Sequence, residues 1–216
     1  MTAFDAVFFD FDGVLAESSD IKTRAFEAMY APFGTTVVAR AVAHHLEHGG
    51  ISRRKKIRHC HRTLLGIEVT ADEMAVLGRR FSALVEEAVV AADWVAGARA
   101  FLDAHCGRLP MFVISGTPEE ELRRITARRG MDGYFVAVRG SPPVKEPIVE
   151  ALLAEHRLAR ERVLFVGDTM TDYRAARATG LAFVGRVPAG TPSPFPDGTA
   201  LIADLTELTL RHPDGR

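Results

Sequence analysis

Two aspartates two residues apart, Asp10 and Asp12, follow directly on the apolar run Val7-Phe8-Phe9 and precede Gly13. A short apolar run with polar flanks predicts a buried parallel strand, and alternation along extended chain sets both carboxylates on one side where that strand ends. Open α/β sheets bind their ligands at such ends. The two carboxylates repel each other and lose hydration there, so they call for a cation or a catalytic task; a surface Asp-x-Asp-Gly turn is the plain alternative. Three later segments have the same character. Ser115-Gly116-Thr117, after the apolar run 110–114, offers a hydroxyl and glycine-freed N–H groups at a helix start, a natural anion site. Asp168 and Asp172, in Gly167-Asp168-Thr169-Met170-Thr171-Asp172, straddle a strand-to-helix turn where hard oxygen ligands can hold magnesium. Lys145 lies in a loop stiffened by Pro142, Pro143 and Pro147, rigid enough to hold an ammonium in one place. Each alone reads more simply as a helix cap or a solvated charge. Four in this order, each at a strand end, point to phosphate chemistry.

The elements that must position these residues follow from periodicity. Between about Ser18 and Ala92 the pattern is helical. One helix follows Ser18-Ser19-Asp20 and ends at Pro32 and Gly34; a second runs from Thr36 to Glu47 and stops at Gly49-Gly50. A third is capped by Ser52 and runs to about Leu65, and a fourth opens with the capping box Thr70-x-x-Glu73 and continues to about Ala91. From Asp93 onward strand and helix alternate. Strands are predicted over 110–114, 134–138, 163–166, 181–184 and 200–202, the last after a proline-rich loop. Helices are predicted over 97–105, 118–129, from Pro147 to about His156, over 170–179, and from Asp204 to the end. The expected fold is α/β, a Rossmann-like parallel-sheet core (1–17 and 93–216) with an inserted all-helical cap domain (18–92), placed over the two aspartates as a lid.

With 216 residues, 47% hydrophobic and 25% charged, the chain is long enough for a core and a smaller inserted domain. A formal net charge of -1 sets up no global field toward nucleic acid or membrane. Cys60 and Cys106 stand far apart in no metal-type spacing and read as free thiols of a reducing compartment. The start has no leader pattern and no apolar run approaches the ~18 residues of a membrane span, so a cytoplasmic protein is expected. Six of the ten residues 53–62 are Lys or Arg. A solvated helix face is the expectation for them; a nucleic-acid-binding helix lacks the interleaved aromatics, and His44, His45, His48, His59, His61 and Cys60 have no diagnostic metal spacing.

Asp10-x-Asp12-Gly13-Val14, Ser115-Gly116, Lys145 and Gly167-Asp168-x-x-x-Asp172 together resemble, in order and approximate spacing, the four motifs of the haloacid dehalogenase superfamily. The helical insertion resembles the cap of its β-phosphoglucomutase and phosphoglycolate phosphatase branch. That resemblance implies Asp10 as the nucleophile that accepts a phosphoryl group, and Asp12 as general acid and base with its main-chain carbonyl on the metal. It implies Ser115, Gly116 and Thr117 on the phosphoryl group, Lys145 as the neutralising cation, and magnesium (Mg2+) held by Asp10, Asp12, Asp168 and Asp172. The chemistry is coherent, because an anionic nucleophile meeting an anionic phosphate needs positive charge, and the acyl phosphate then needs a base to activate water. Asp12 separates the chain from the family's dehalogenases, which lack it and use no magnesium. Arg53 falls where phosphonoacetaldehyde hydrolases have a Schiff-base lysine, and a guanidinium cannot form that imine, although Lys55 and Lys56 are close by. Gly49-Gly50-Ile51-Ser52-Arg53 resembles the specificity loop of β-phosphoglucomutase-type caps, so Arg53 is expected on the substrate, with Lys22 where that enzyme has a histidine. The same loop, with residues 20–26, also resembles uncharacterised phosphatase-like proteins of surface-polysaccharide pathways. The implied function is a magnesium-dependent phosphomonoesterase for a small phosphorylated metabolite, a sugar or hydroxy-acid phosphate. A phosphomutase and a non-catalytic sugar-phosphate-binding module are the alternatives.

Overall fold

The computed structural model describes residues 4–210. Strand β1 (Ala6–Phe9) is buried along its whole length. With β2 (Met111–Pro118), β3 (Ala137–Ser141), β4 (Val163–Gly167), β5 (Ala182–Arg186) and β6 (Ala200–Ile202) it forms one sheet in the order β3-β2-β1-β4-β5-β6. Every pairing is parallel. Phe9 lies level with Val113 on one side and Val166 on the other, so the chain leaves β1 at the centre of the sheet. The winding runs first to β2 and β3, then crosses back to β4, and the reversal falls between β1 and β4. A crevice opens at the carboxyl ends of the strands at such a reversal.

Alternation along β1 divides the core in two. The chain places α1 (Ser19–Tyr30), α2 (Thr35–Glu47), α3 (Arg53–Cys60) and α4 (Ala71–Ala91) after β1, followed by α5 (Ala98–His105), α6 (Glu119–Arg128), α7 (Lys145–Glu155) and α8 (Met170–Thr179). Val7 and Phe9 pack with Met111, Val113 and Leu164 against Phe101 and Leu102 of α5 and Leu122 and Ile125 of α6. Phe8, Phe112, Ile114 and Phe165 face the other way onto Ile148, Val149 and Leu152 of α7 and Ala176 of α8. The inserted helices bury Phe26, Met29 and Tyr30 of α1, Ile57 of α3, and Met74, Phe81 and Val85 of α4, with the Phe26 and Phe81 rings edge to face at 4.9 Å. The entering and leaving chains run side by side, Glu17 N–H donating to the Asp93 carbonyl at 2.9 Å and Val95 N–H to that of Leu15 at 3.1 Å.

Four local expectations change. Strand β3 begins at Ala137 rather than Tyr134, because pairing of Ala137 with Phe112, not apolar content, sets where the ladder starts. Lys145 is the first residue of α7 rather than part of a loop. Strand β2 continues to Pro118 through a break in register after Ile114, and α6 opens at Glu119 with three glutamates in its first turn. Ser115-Gly116-Thr117 therefore sits on irregular strand instead of at a helix N-terminus, and the glutamates complement the dipole of that helix start. Among the described residues no α-helix starts at Asp204: Leu205–Glu207 make one 3₁₀ turn capped by Asp204, Leu205 N–H bonding the Ala96 carbonyl at 2.9 Å, and residues 211–216 lie outside the described part.

Candidate active site

Asp10 is the first residue past β1, and its own N–H still bonds the Val166 carbonyl at 2.9 Å, so the sheet holds its backbone. Its side chain is buried, with Oδ1 accepting from Phe11 N–H at 2.7 Å and Oδ2 3.0 Å from Lys145 Nζ. Burial raises its carboxyl to about 7; Lys145 opposes this, while Asp172 and Asp12 add repulsion. Lys145 also pairs with Asp172 Oδ1. A lysine at a helix N-terminus opposes the helix dipole and burial pulls its ammonium down, but Asp10 and Asp172 outweigh both and hold it above its ordinary value. The other Asp172 oxygen accepts from Thr169 N–H at 3.1 Å and Thr169 Oγ1 at 2.6 Å, a capping box that ties α8 to the same cluster.

Asp10, Asp168 and Asp172 each bring a carboxylate oxygen within 4.8 Å of the others. Asp168 Oδ1 is buried with no hydrogen-bond partner, and burial, then the charges of Asp10 and Asp172, raise its carboxyl well above the ordinary value. A divalent cation would satisfy the orphaned oxygen and the repulsion at once, so this donor set of hard oxygens fits magnesium. Gly13 is left-handed (φ +73°), and a Cβ there would strike the Asp168 carboxylate, so only glycine lets the two strand ends close on one another.

The Asp12 carboxylate turns away from this trio. Oδ1 accepts from Ser18 Oγ at 2.6 Å; Oδ2 pairs with Lys22 and accepts from Thr117 Oγ1 at 3.3 Å, and Lys22 Nζ in turn donates to Thr117 Oγ1 at 2.7 Å. Burial pushes Asp12 up, but Lys22 and these hydrogen bonds outweigh it and hold the carboxyl below the usual range. Of the expected metal ligands, Asp12 therefore has only its main-chain carbonyl to offer. Arg186, at the end of β5, holds the loop after β1 by donating to the Gly13 carbonyl at 3.3 Å and pairing with Glu17 at 2.7 Å.

A cavity of about 220 Å³ lies over these groups, lined on one side by Asp10, Asp12, Ser115 and Thr117 and roofed by Phe26, His45, Lys56 and Phe81. The Gly49-Gly50 turn docks on the strand ends: Thr171 Oγ1 donates to the Gly49 carbonyl at 2.6 Å, and a Cβ on Gly116 would strike the Gly50 carbonyl. Lys22 reaches the site from α1. Arg53 lines the cavity, yet its guanidinium is occupied, donating to Ser82 at 2.8 Å, pairing with Glu121 and lying 4.6 Å from the Phe81 ring centroid. The basic stretch is not a solvated face throughout, because Arg53 and Lys56 are buried with Ile57 and Cys60. The sequence offered His45 only as a metal candidate without diagnostic spacing and gave no place in the site to it or to Lys56. The signal for Lys56 was present: Ile57 and Cys60 mark the inward face of α3, and positions 53 and 56 fall on it.

Known proteins share this architecture. CbbY from Rhodobacter sphaeroides, in complex with xylulose-(1,5)bisphosphate, superposes with a TM-score of 0.74 at 20% identity over 95% of this chain and 96% of that one. A predicted phosphoglycolate phosphatase from Haemophilus somnus 129pt gives 0.71 at 21% identity over 95% and 96%. At such identities the likeness is one of fold. A phosphoglycolate phosphatase of Photobacterium profundum is 30% identical over 86 residues, and the chain matches only 38% of that relative's length. The model of the haloacid dehalogenase-like hydrolases matches residues 4–180, the stretch that carries Asp10, Asp12, Ser115, Lys145, Asp168 and Asp172, and the chain belongs to that family of hydrolases.

Proposed function

We propose that this chain is a magnesium-dependent phosphomonoesterase for a small phosphorylated metabolite, working through an aspartyl-phosphate on Asp10. The observation that carries the reading is the pairing of buried Asp10 with Lys145 beside Asp168 and its orphaned oxygen, on the floor of a cavity. Asp10, Asp168 and the Asp12 carbonyl would hold the cation, with Asp172 supporting them through Lys145. A bound cation would neutralise the charge of nucleophile and phosphate. Lys145 keeps the Asp10 carboxylate in place and offsets charge that builds on the phosphoryl oxygens. The Ser115 hydroxyl, which accepts from Thr117 N–H at 3.1 Å, keeps its own proton free for a phosphoryl oxygen. Asp12, held ionised by Lys22, has no proton of its own for the first step, so the Lys22 ammonium gives one to the leaving oxygen; Asp12 then takes a proton from the water that attacks the acyl phosphate and passes it to the Lys22 amine, which restores the pair.

We read residues 18–92 as the cap and 1–17 with 93–216 as the core; the side-by-side linkers at Glu17 and Asp93 support that division. A cavity of about 220 Å³ under a docked turn suits a metabolite and not a polymer. Asp10→Asn leaves an amide that cannot form the acyl phosphate. Phosphate release from a generic aryl phosphate should drop to background while circular dichroism and the melting transition persist. More than a trace of wild-type turnover in that variant would remove Asp10 as the nucleophile.

A further inference from the structure

The roof of the cavity holds a cation without a counter-ion. Lys56 is 3% exposed, and its ammonium donates to His45 Nδ1 at 2.9 Å and to the His45 carbonyl at 3.1 Å. The Phe26 ring centroid is 6.0 Å from it. The other cations around the cavity have carboxylate partners: Lys22 has Asp12, Lys145 has Asp10 and Asp172, and Arg53 has Glu121. Among the described residues no carboxylate pairs with Lys56. Burial of an uncompensated charge is costly, and burial first, then Lys22, lower this amine to about 7. An ammonium has only donors, so His45 Nδ1 accepts from it and the ring proton lies on Nε2. Burial and the nearby Lys56 lower His45 to about 3, so the ring is neutral and offers that N–H as a second donor.

We propose that Lys56 and His45 form the receptor for a second anionic group on the substrate's leaving group, so that the substrate is a phosphomonoester whose alcohol carries a carboxylate or another phosphate. The proposal rests on the phosphomonoesterase reading. The phosphoryl end is met by Ser115 and Thr117 beside Asp10 on the cavity floor, which leaves the roof cation for the other end of the molecule. Arg53, the sequence's candidate for that task, is held by Glu121 and Ser82. An anion arriving at Lys56 supplies the partner its burial lacks, and a charge-assisted hydrogen bond in a dry site is strong.

The test uses the full chain carrying Asp10→Asn, titrated by calorimetry in the presence of magnesium with two matched pairs. Phosphoglycolate and ethyl phosphate differ by a carboxylate; 1,3-propanediol bisphosphate and propyl phosphate differ by a phosphate. At least one anionic member should bind 10-fold or more tightly than its partner, and which one does so distinguishes carboxylate from phosphate. Adding Lys56→Met should reduce that ratio to about threefold or less, and Lys56→Arg should retain most of it. His45→Gln gives a second, milder variant should Lys56→Met fail to fold, and it too should shrink the ratio. Equal binding within both pairs, or a loss in Lys56→Met shared equally by both members, overturns the subsite. Wild-type turnover of an aryl phosphate separates the two readings. Turnover without discrimination rejects the subsite alone, and discrimination without any turnover rejects the phosphatase and keeps the subsite.

Discussion

Lysine ordinarily titrates at 10.5, and Lys56 is brought to about 7 by burial and then by Lys22, with Asp12, Cys60 and Asp168 pulling the other way and His45 in direct contact. Between those values the unfolded chain holds a proton that the folded chain releases. Stability therefore rises with pH across this window, and that contribution is lost as pH falls toward 7. Lys56→Met removes the linkage. Melting temperatures of metal-free protein between pH 6.5 and 9.5 should show wild type gaining on Lys56→Met as pH increases. Parallel curves would mean that Lys56 titrates as a solvated lysine does.

Among the elements, α6 presents Glu121, Arg124 and Arg128 to α4 at the i, i+3, i+7 spacing of one helix face. Arg124 grips Glu86 through two hydrogen bonds at 3.2 and 2.9 Å, and Arg128 grips Glu87 through two at 2.7 Å. These outer pairs are largely exposed and screened by solvent, so they add little to stability. The inner pair differs: Arg53 and Glu121 are 6% and 3% exposed, and Ser82 bonds to both. Removing one partner strands the other, at a cost of about 3–5 kcal/mol. Arg53→Ala should lower stability by that amount in chemical denaturation, and Arg53→Met with Glu121→Met should recover most of it. Because Arg53 ties α3 and α4 to α6, its loss should reduce kcat/KM equally for an aryl phosphate and for a larger substrate. A loss confined to the larger one would return Arg53 to direct substrate binding.

Over the whole molecule, two apolar faces of one sheet supply the burial that keeps the fold, and the acidic trio sits past the carboxyl ends of its central strands as a local charge problem. Chelation followed by dialysis should abolish turnover and leave the folded baseline intact, and added magnesium should raise the melting temperature by relieving repulsion among Asp10, Asp168 and Asp172. The melting shift should vanish in Asp168→Asn. Full activity after exhaustive chelation would exclude the metal-assisted reading.

Much of this was legible in the chain itself, for local reasons. Val7-Phe8-Phe9 ending in Asp10 specified a buried strand and what stands at its tip, because strand burial and the polarity of its end are properties of adjacent residues. The Thr70-x-x-Glu73 capping box forms as its four residues dictate, Thr70 N–H donating to Glu73 Oε2 at 2.9 Å. What tertiary structure alone decided depends on partners distant in sequence. The start of β3 was set by the ladder with β2, and the tail after Asp204 stays out of an α-helix where the Leu210 carbonyl accepts from Phe4 N–H at 3.3 Å. Arg53 looked free for a substrate because nothing within its own helix could reveal Glu121, 68 residues away. Lys56 looked solvated for the same reason: the packing of α1 and α2 places Phe26 and His45 against it and, among the described residues, no carboxylate in an ion pair with it. A residue's type is written in the sequence, but whether its charge meets water, a partner or an empty cavity is settled by which surfaces the fold brings together.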